Sequence, residues 1–151
     1  MSVQRTLVLV KPHAVESHLL DIIGRYHAAE TWLNLVRSDL FTFTPEQVSE
    51  FYAEHRGKEF FHGLCEAMCE GPTYAMVFEG EDAVQVVRRL NGATDPKKAE
   101  PGTIRYDFAD PQGGGPRNTV HGSDGVDAAA REIDIVFEWG CIQASCDGAM
   151  G

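Results

Sequence analysis

The sequence predicts an α+β fold, an antiparallel sheet in βαββαβ order with an inserted helical hairpin and an extra C-terminal helix. Three observations carry this expectation. Short apolar runs rich in β-type residues alternate with segments of helical period. Two helical segments follow one another with no strand between them, and a long aperiodic stretch precedes the last strand.

Arg5–Val10 (RTLVLV) is a nearly continuous apolar run, as in a central strand buried on both faces. Lys11-Pro12 ends it, because proline cannot donate to a sheet ladder, and Lys11 is either a solvated strand end or an anion ligand. Leu19, Leu20, Ile22, Ile23 and Tyr26 repeat at helical spacing, which predicts an amphipathic helix over His18–Ala29. A second strand falls within Leu33–Phe43, although its pattern is irregular from Arg37 to Asp39. Thr44-Pro45-Glu46-Gln47 is a helix start with a hydroxyl cap, proline in the first turn and glutamine placed to close a capping box. That helix carries Val48, Phe51 and Tyr52. A second one, Glu59–Glu70, stops at Gly71-Pro72. The resulting hairpin can stand off a sheet as one wall of a cleft.

Thr73–Phe78 (TYAMVF) is the third strand, and Ala83, Val86, Val87 and Leu90 define a helix ended by Asn91-Gly92. Arg88 and Arg89 occupy its last turns, where cations suit the helix dipole even if only solvated. From Ala93 to Pro116 prolines and glycines break every pattern, and so long a connection is functional or disordered. Thr119 and Val120 then favour extended backbone, which puts His121 at a strand end. Gly122 allows a tight turn, and Ser123 or Asp124 can cap a helix over Gly125–Ile133. The N–H groups of that helix start suit an anion facing His121, and Glu132 can fold back as an orienting carboxylate. Taken alone, a histidine in this setting is more often a turn or packing residue than a nucleophile. Ile133–Phe137 is a last apolar piece and Gly140–Gly151 a loose tail, so the domain is placed at residues 1–139 and a flexible tail at 140–151. With the hairpin and last helix removed, the order is the ferredoxin-like unit.

A chain of 151 residues makes one domain, and its formal charge of −10 argues against a nucleic-acid backbone as main partner. Small phosphates are not excluded, since a few convergent cations among Lys11, Arg88, Arg105 and Arg117 suffice. No apolar run reaches the ~20 residues of a membrane span and no signal-peptide stretch is seen, so a cytoplasmic protein without a membrane partner is expected. Cys65/Cys69 and Cys141/Cys146 lack Cys-x-x-Cys spacing and read as reduced thiols.

Several blocks then stand in order: TLVLVKP (Thr6–Pro12), FYAEHRGKEFFHG (Phe51–Gly63), Gly71-Pro72, GATDP (Gly92–Pro96), PGTIR (Pro101–Arg105) and NTVHGSD (Asn118–Asp124). Together they make the chain resemble the nucleoside diphosphate kinase family over most of its length. The resemblance implies transfer of the γ-phosphate of ATP, GTP or another nucleoside triphosphate to a nucleoside diphosphate. The route would be ping-pong through a phosphohistidine on His121, with Mg²⁺ bound on the nucleotide and no metal ligand on the protein. By the same resemblance Glu132 fixes the His121 tautomer and Ser123 lies beside them. Tyr52 lies near the histidine, and Lys11, Arg88, Arg105 and Thr94 hold phosphates. Asn118 contacts the sugar and Phe60 stacks on the base. A homo-oligomer, hexamer or tetramer, is implied as well.

These residue types suit the chemistry. Neutral imidazole attacks through one nitrogen only if the other keeps the proton, and a loose phosphoryl transition state needs positioning and positive charge. No Walker-type glycine loop is present. The chain departs from the family pattern at His13, where aspartate is usual, and at Tyr106, where glycine is usual. It also departs in a longer Asp110–Pro116, in Glu30–Asn34 and in its C-terminal end. Tyr106 is therefore expected to add bulk beside Arg105 and to affect nucleotide affinity. The rival readings are a catalytically weak nucleotide-binding interaction module on the same fold, and a metal-binding domain using His55, His62 and cysteines, which lacks suitable spacing.

Overall fold

Strand β1 (Val3–Val10) is the strand on which the sheet is built. In the computed structural model, which describes residues 3–29, 33–111 and 117–150, it pairs antiparallel with β3 (Thr73–Glu81) on one side and β4 (Val120–Gly122) on the other. Strand β2 (Asn34–Phe41) pairs with β3 and completes the order β2-β3-β1-β4, the expected ferredoxin-like arrangement. The continuous apolar run of β1 is explained by burial on both faces. Leu7 and Leu9 pack with Phe43, Val48, Phe51 and Met68, whereas Val8 and Val10 pack with Ile22, Tyr26, Val87 and Ile104.

Helix α1 (Pro12–Ala29) begins six residues earlier than its apolar spacing predicts, because proline at a first helical position starts a helix as readily as it ends a strand. The inserted hairpin consists of α2 (Pro45–Phe51), a 3₁₀ turn (Ala53–His55) and α3 (Phe61–Cys69). Its capping box is formed as expected, with Gln47 N–H donating to Thr44 Oγ1 at 3.1 Å. Helix α4 (Ala83–Asn91) follows β3. The long connection is structured where it is described: it forms a 3₁₀ turn at Pro96–Lys98 and the short α5 (Ile104–Asp107), and α5 with the preceding Gly102 is tied to α1 by Arg25, which donates to Gly102 O and pairs with Asp107. The glycines 113 to 115 lie outside the described residues.

Helix α6 (Val126–Phe137) absorbs the expected apolar piece, since Ile135 and Val136 lie on its buried side. Neither Ser123 nor Asp124 caps it. The cap position is Gly125, and both polar side chains are drawn into tertiary contacts instead. The stretch read as a loose tail runs on as α7 (Trp139–Met150), entered through a bond from Ile142 N–H to Glu138 O at 3.0 Å. Two glycines within α7 do not outweigh its alanines and longer side chains.

Strand β2 forms one edge of the sheet, as the short β4 forms the other. The β2 strand carries a bulge between Leu35 and Arg37, immediately before the stretch from Arg37 to Asp39 where the sequence pattern is irregular. Leu35, Val36 and Leu40 on it are exposed. Among the described residues no helix is long and apolar enough to cross a membrane.

Candidate active site

The C-terminal end of β1, strand β4, the hairpin, the end of α4 and the long connection surround a cleft of about 1070 Å³. Lys11, Tyr52, Phe60 and Arg88 line it, as do Thr94, Arg105, Asn118, His121 and Glu132. Nine of the ten residues expected at the site therefore meet there, and the tenth, Ser123, stands buried behind Glu132.

His121 lies on β4 opposite Leu9, its ring edge-on to Phe51 and Tyr52. Its Nε2 is 2.9 Å from Glu132 Oε1, and the same carboxylate oxygen accepts the Ser123 hydroxyl at 2.7 Å. Ser123 Oγ in turn accepts from Leu7 N–H at 3.1 Å, which anchors the chain of bonds to the central strand. A carboxylate only accepts, so Nε2 carries the proton and Nδ1 keeps the lone pair. Gly122, next to the histidine, is needed for close approach: a Cβ there would stand 2.7 Å from the Asn91 amide.

The cations are held in three different ways. Lys11 is 5% exposed, and burial together with the nearby Arg105 lowers its ammonium to a pKa of about 7. Arg105 donates Nη1–H to Gly92 O at 2.7 Å, Nη2–H to Val120 O at 2.8 Å and Nε–H to Asn118 O at 3.2 Å. Those three bonds leave two of its five N–H donors for other work. Gly92 reaches that carbonyl position with φ +85, and a Cβ on it would lie 2.5 Å from Thr103 Oγ1. Arg88, more exposed, pairs with Asp124 at 2.7 Å on the rim.

Two buried polar atoms at the cleft, the Tyr52 hydroxyl and Asn118 Oδ1, have no hydrogen-bond partner among the described residues. Burial raises the Tyr52 pKa, so its hydroxyl stays a donor. Asn118 is oriented by its other end, Nδ2–H donating to Thr94 O at 3.1 Å. Phe60 stands 49% exposed at the mouth, with the Lys58 ammonium over its ring and the His55 ring 5.1 Å away. An exposed aromatic face beside a cluster of cations suits a flat, anionic ligand.

Tyr106 corrects an expectation. It does not line the cleft, and its side chain faces water from the short α5 (50% exposed). Tyr106→Gly is accordingly expected to leave kcat and KM within about twofold in steady-state assays. Sequence reasoning missed the Arg88–Asp124 pair, because Asp124 reads as a helix cap. Missed too was a contact from His13 to Thr119 N–H, 3.2 Å long, for which the sequence carries no local signal. Among the described residues no group of three or more His, Cys, Asp or Glu could hold a metal ion.

The chain matches the family model described as nucleoside diphosphate kinase over residues 4–140. It is 44% identical over 138 residues to a Bordetella avium protein named nucleoside diphosphate kinase, covering 91% of this chain and 94% of that one. The solved Aquifex aeolicus nucleoside diphosphate kinase superposes with a TM-score of 0.81 at 40% identity, over 90% of this chain and 96% of that chain. A halophilic nucleoside diphosphate kinase from Halobacterium salinarum, solved in complex with CDP, gives a TM-score of 0.81 at 42% identity, over 90% and 88% of the two chains.

Proposed function

Because the chain belongs to the nucleoside diphosphate kinase family, whose members move phosphate between nucleotides, we propose that Nδ1 of His121 carries the phosphate between two half-reactions. In the first, Nδ1 attacks the γ-phosphorus of a nucleoside triphosphate, supplied as its magnesium complex. The bond from that phosphorus to the β-bridging oxygen breaks, and the diphosphate leaves. In the second, a terminal oxygen of an acceptor diphosphate attacks the phosphohistidine and Nδ1 recovers its lone pair. The observation that carries this reading is the Ser123–Glu132–His121 chain, which occupies Nε2 and leaves Nδ1 as the nucleophile.

Glu132 also offsets the positive charge that grows on the ring as the N–P bond forms. Lys11, Arg105 and Arg88 balance the phosphate oxygens. Arg88 exchanges Asp124 for the ligand, and each charged hydrogen bond contributes on the order of 1.5–3 kcal/mol. The Tyr52 hydroxyl and Thr94 add neutral donors. Asn118 Oδ1 accepts from a sugar hydroxyl, and Phe60 stacks on the base, worth about 1–3 kcal/mol and indifferent to its identity.

Glu132→Gln is expected to lower kcat roughly 100-fold while KM for nucleotide changes little, because the amide no longer balances the imidazolium. The test of the whole reading is incubation with γ-labelled ATP and Mg²⁺ without acceptor. Label that is acid-labile, base-stable and discharged by GDP is expected. ATP binding without label would instead favour a binding module.

The open β2 edge supports a homo-oligomer, since Leu35, Val36 and Leu40 exposed on an edge strand offer apolar surface to a second copy. The free thiols of Cys65, Cys69 and Cys141 suit a reducing cytoplasm.

A further inference from the structure

We propose that His13 is a positioning residue for the transfer: its Nε2 lone pair holds the N–H of Thr119 and, through it, the turn that aims His121. The inference rests on His121 as the phosphate carrier. Thr119 is a threonine with φ +74, and Val120 N–H donates back to Asn118 O at 2.9 Å, so residues 118–120 form a γ-turn of the positive-φ kind. That turn is intrinsically strained in any residue but glycine, and it persists only where its surroundings impose it.

The surroundings are visible. Thr119 is fully buried, its carbonyl accepts from Lys11 N–H at 3.0 Å, and its hydroxyl donates to Phe108 O at 3.0 Å. Its own N–H is left for His13 Nε2, 3.2 Å away on the first turn of α1. The carbonyls on either side of the turn, Asn118 O and Val120 O, are the ones that hold Arg105. One acceptor on α1 therefore sits beneath both the nucleophile's strand and a phosphate-facing cation.

The acceptor role requires an unprotonated Nε2. Arg117 before β4 and Lys11 beside α1 disfavour a charge on the ring, whereas Asp110 and a backbone bond at Arg117 favour one. Arg117 is itself shared between Asp110 at 2.8 Å and Glu70, just past α3, at 3.8 Å. Partial burial decides the balance and lowers the His13 pKa from 6.5 to about 4. The folded protein thus binds fewer protons than the unfolded chain between those values, and the neutral ring stabilises it less and less as pH falls through that window.

The experiment measures phosphoenzyme formation at saturating ATP for wild type, His13→Leu and His13→Asn. Leucine fills the space without an acceptor, and asparagine supplies a non-titrating acceptor oxygen. The rate is expected to fall about 10- to 100-fold in His13→Leu and to return within about threefold of wild type in His13→Asn. An unchanged leucine variant, or an asparagine variant as slow as leucine, overturns the proposal. Absence of phosphoenzyme in the wild type instead overturns the reading of His121. Should the leucine variant not fold, urea unfolding of wild type and His13→Asn decides. Wild type is expected to lose stability relative to His13→Asn from pH 6.5 to 4, and parallel curves overturn the proposal.

Discussion

His121→Ala is expected to give a folded protein that binds nucleotide, takes up no label from γ-labelled ATP and loses at least ~10⁴-fold in kcat. Nδ1 of His121 keeps its lone pair because the 2.9 Å contact to Glu132 assigns the ring proton to Nε2, whereas the Nδ1 of His55, which also lines the cleft, stands 3.1 Å from the Lys58 ammonium. Lys11, whose burial brings a lone pair within reach of neutral pH, lies at the strand end and is needed as a cation. Removal of the ring leaves Glu132 with the Ser123 hydroxyl, and Phe51 and Tyr52 lose one edge contact. Destabilisation should therefore stay within about 1–2 kcal/mol, measurable by urea unfolding. Residual label on the alanine variant would assign the phosphate to another group.

Lys11→Met is expected to move activity and stability in opposite directions. The folded ammonium has a pKa of about 7 against 10.5 for the free side chain, so burying it opposes folding wherever the unfolded chain is protonated. The full penalty holds below pH 7, shrinks as pH rises from 7 to 10.5, and vanishes above. Methionine keeps similar volume without charge, and unfolding should show a gain of a few kcal/mol at pH 7 that fades toward pH 10. Over the same variant, kcat/KM should fall about 10- to 100-fold or more, because a charged contact to phosphate is gone. Equal stability of the two proteins at pH 7 would refute the penalty assigned to burying the ammonium. In the wild type, bound polyphosphate restores the charge, so calorimetry in two buffers at pH 8 should record proton uptake on nucleotide binding.

The order of elements along the chain and the hairpin were legible because their signals are local: apolar runs, a capping box and Gly-Pro stops all act within a few residues. The start of α1 was not, since Pro12 fits both the end of a strand and the first turn of a helix. The resemblance brought Lys11, Arg88, Arg105 and His121 together, whereas spacing alone did not. What held Arg105 was invisible in any case, because its three partners are backbone carbonyls, which every residue possesses. Ser123 and Asp124 look like caps from their neighbours, yet a buried carboxylate and a rim arginine compete for them more strongly. Thr119 offers no hint of its positive φ, since its own preference runs the other way.

The pairing of β1 with β4 has a consequence for how the protein comes into being on the ribosome. Ser123 and its partner Leu7 are separated by 116 positions, so the first strand of the sheet waits for almost the last. At ordinary rates of translation that gap takes roughly 6–23 s, during which one side of β1 has no strand beside it. Nucleotide offers no help in this interval, because the cleft lacks His121, Glu132 and the carbonyls that hold Arg105 until α6 has emerged. The growing chain must therefore protect its most apolar strand by other means, through the α1 and hairpin packing already available or through a chaperone. A ligand-assisted rescue of slow folding is available only to the finished polypeptide.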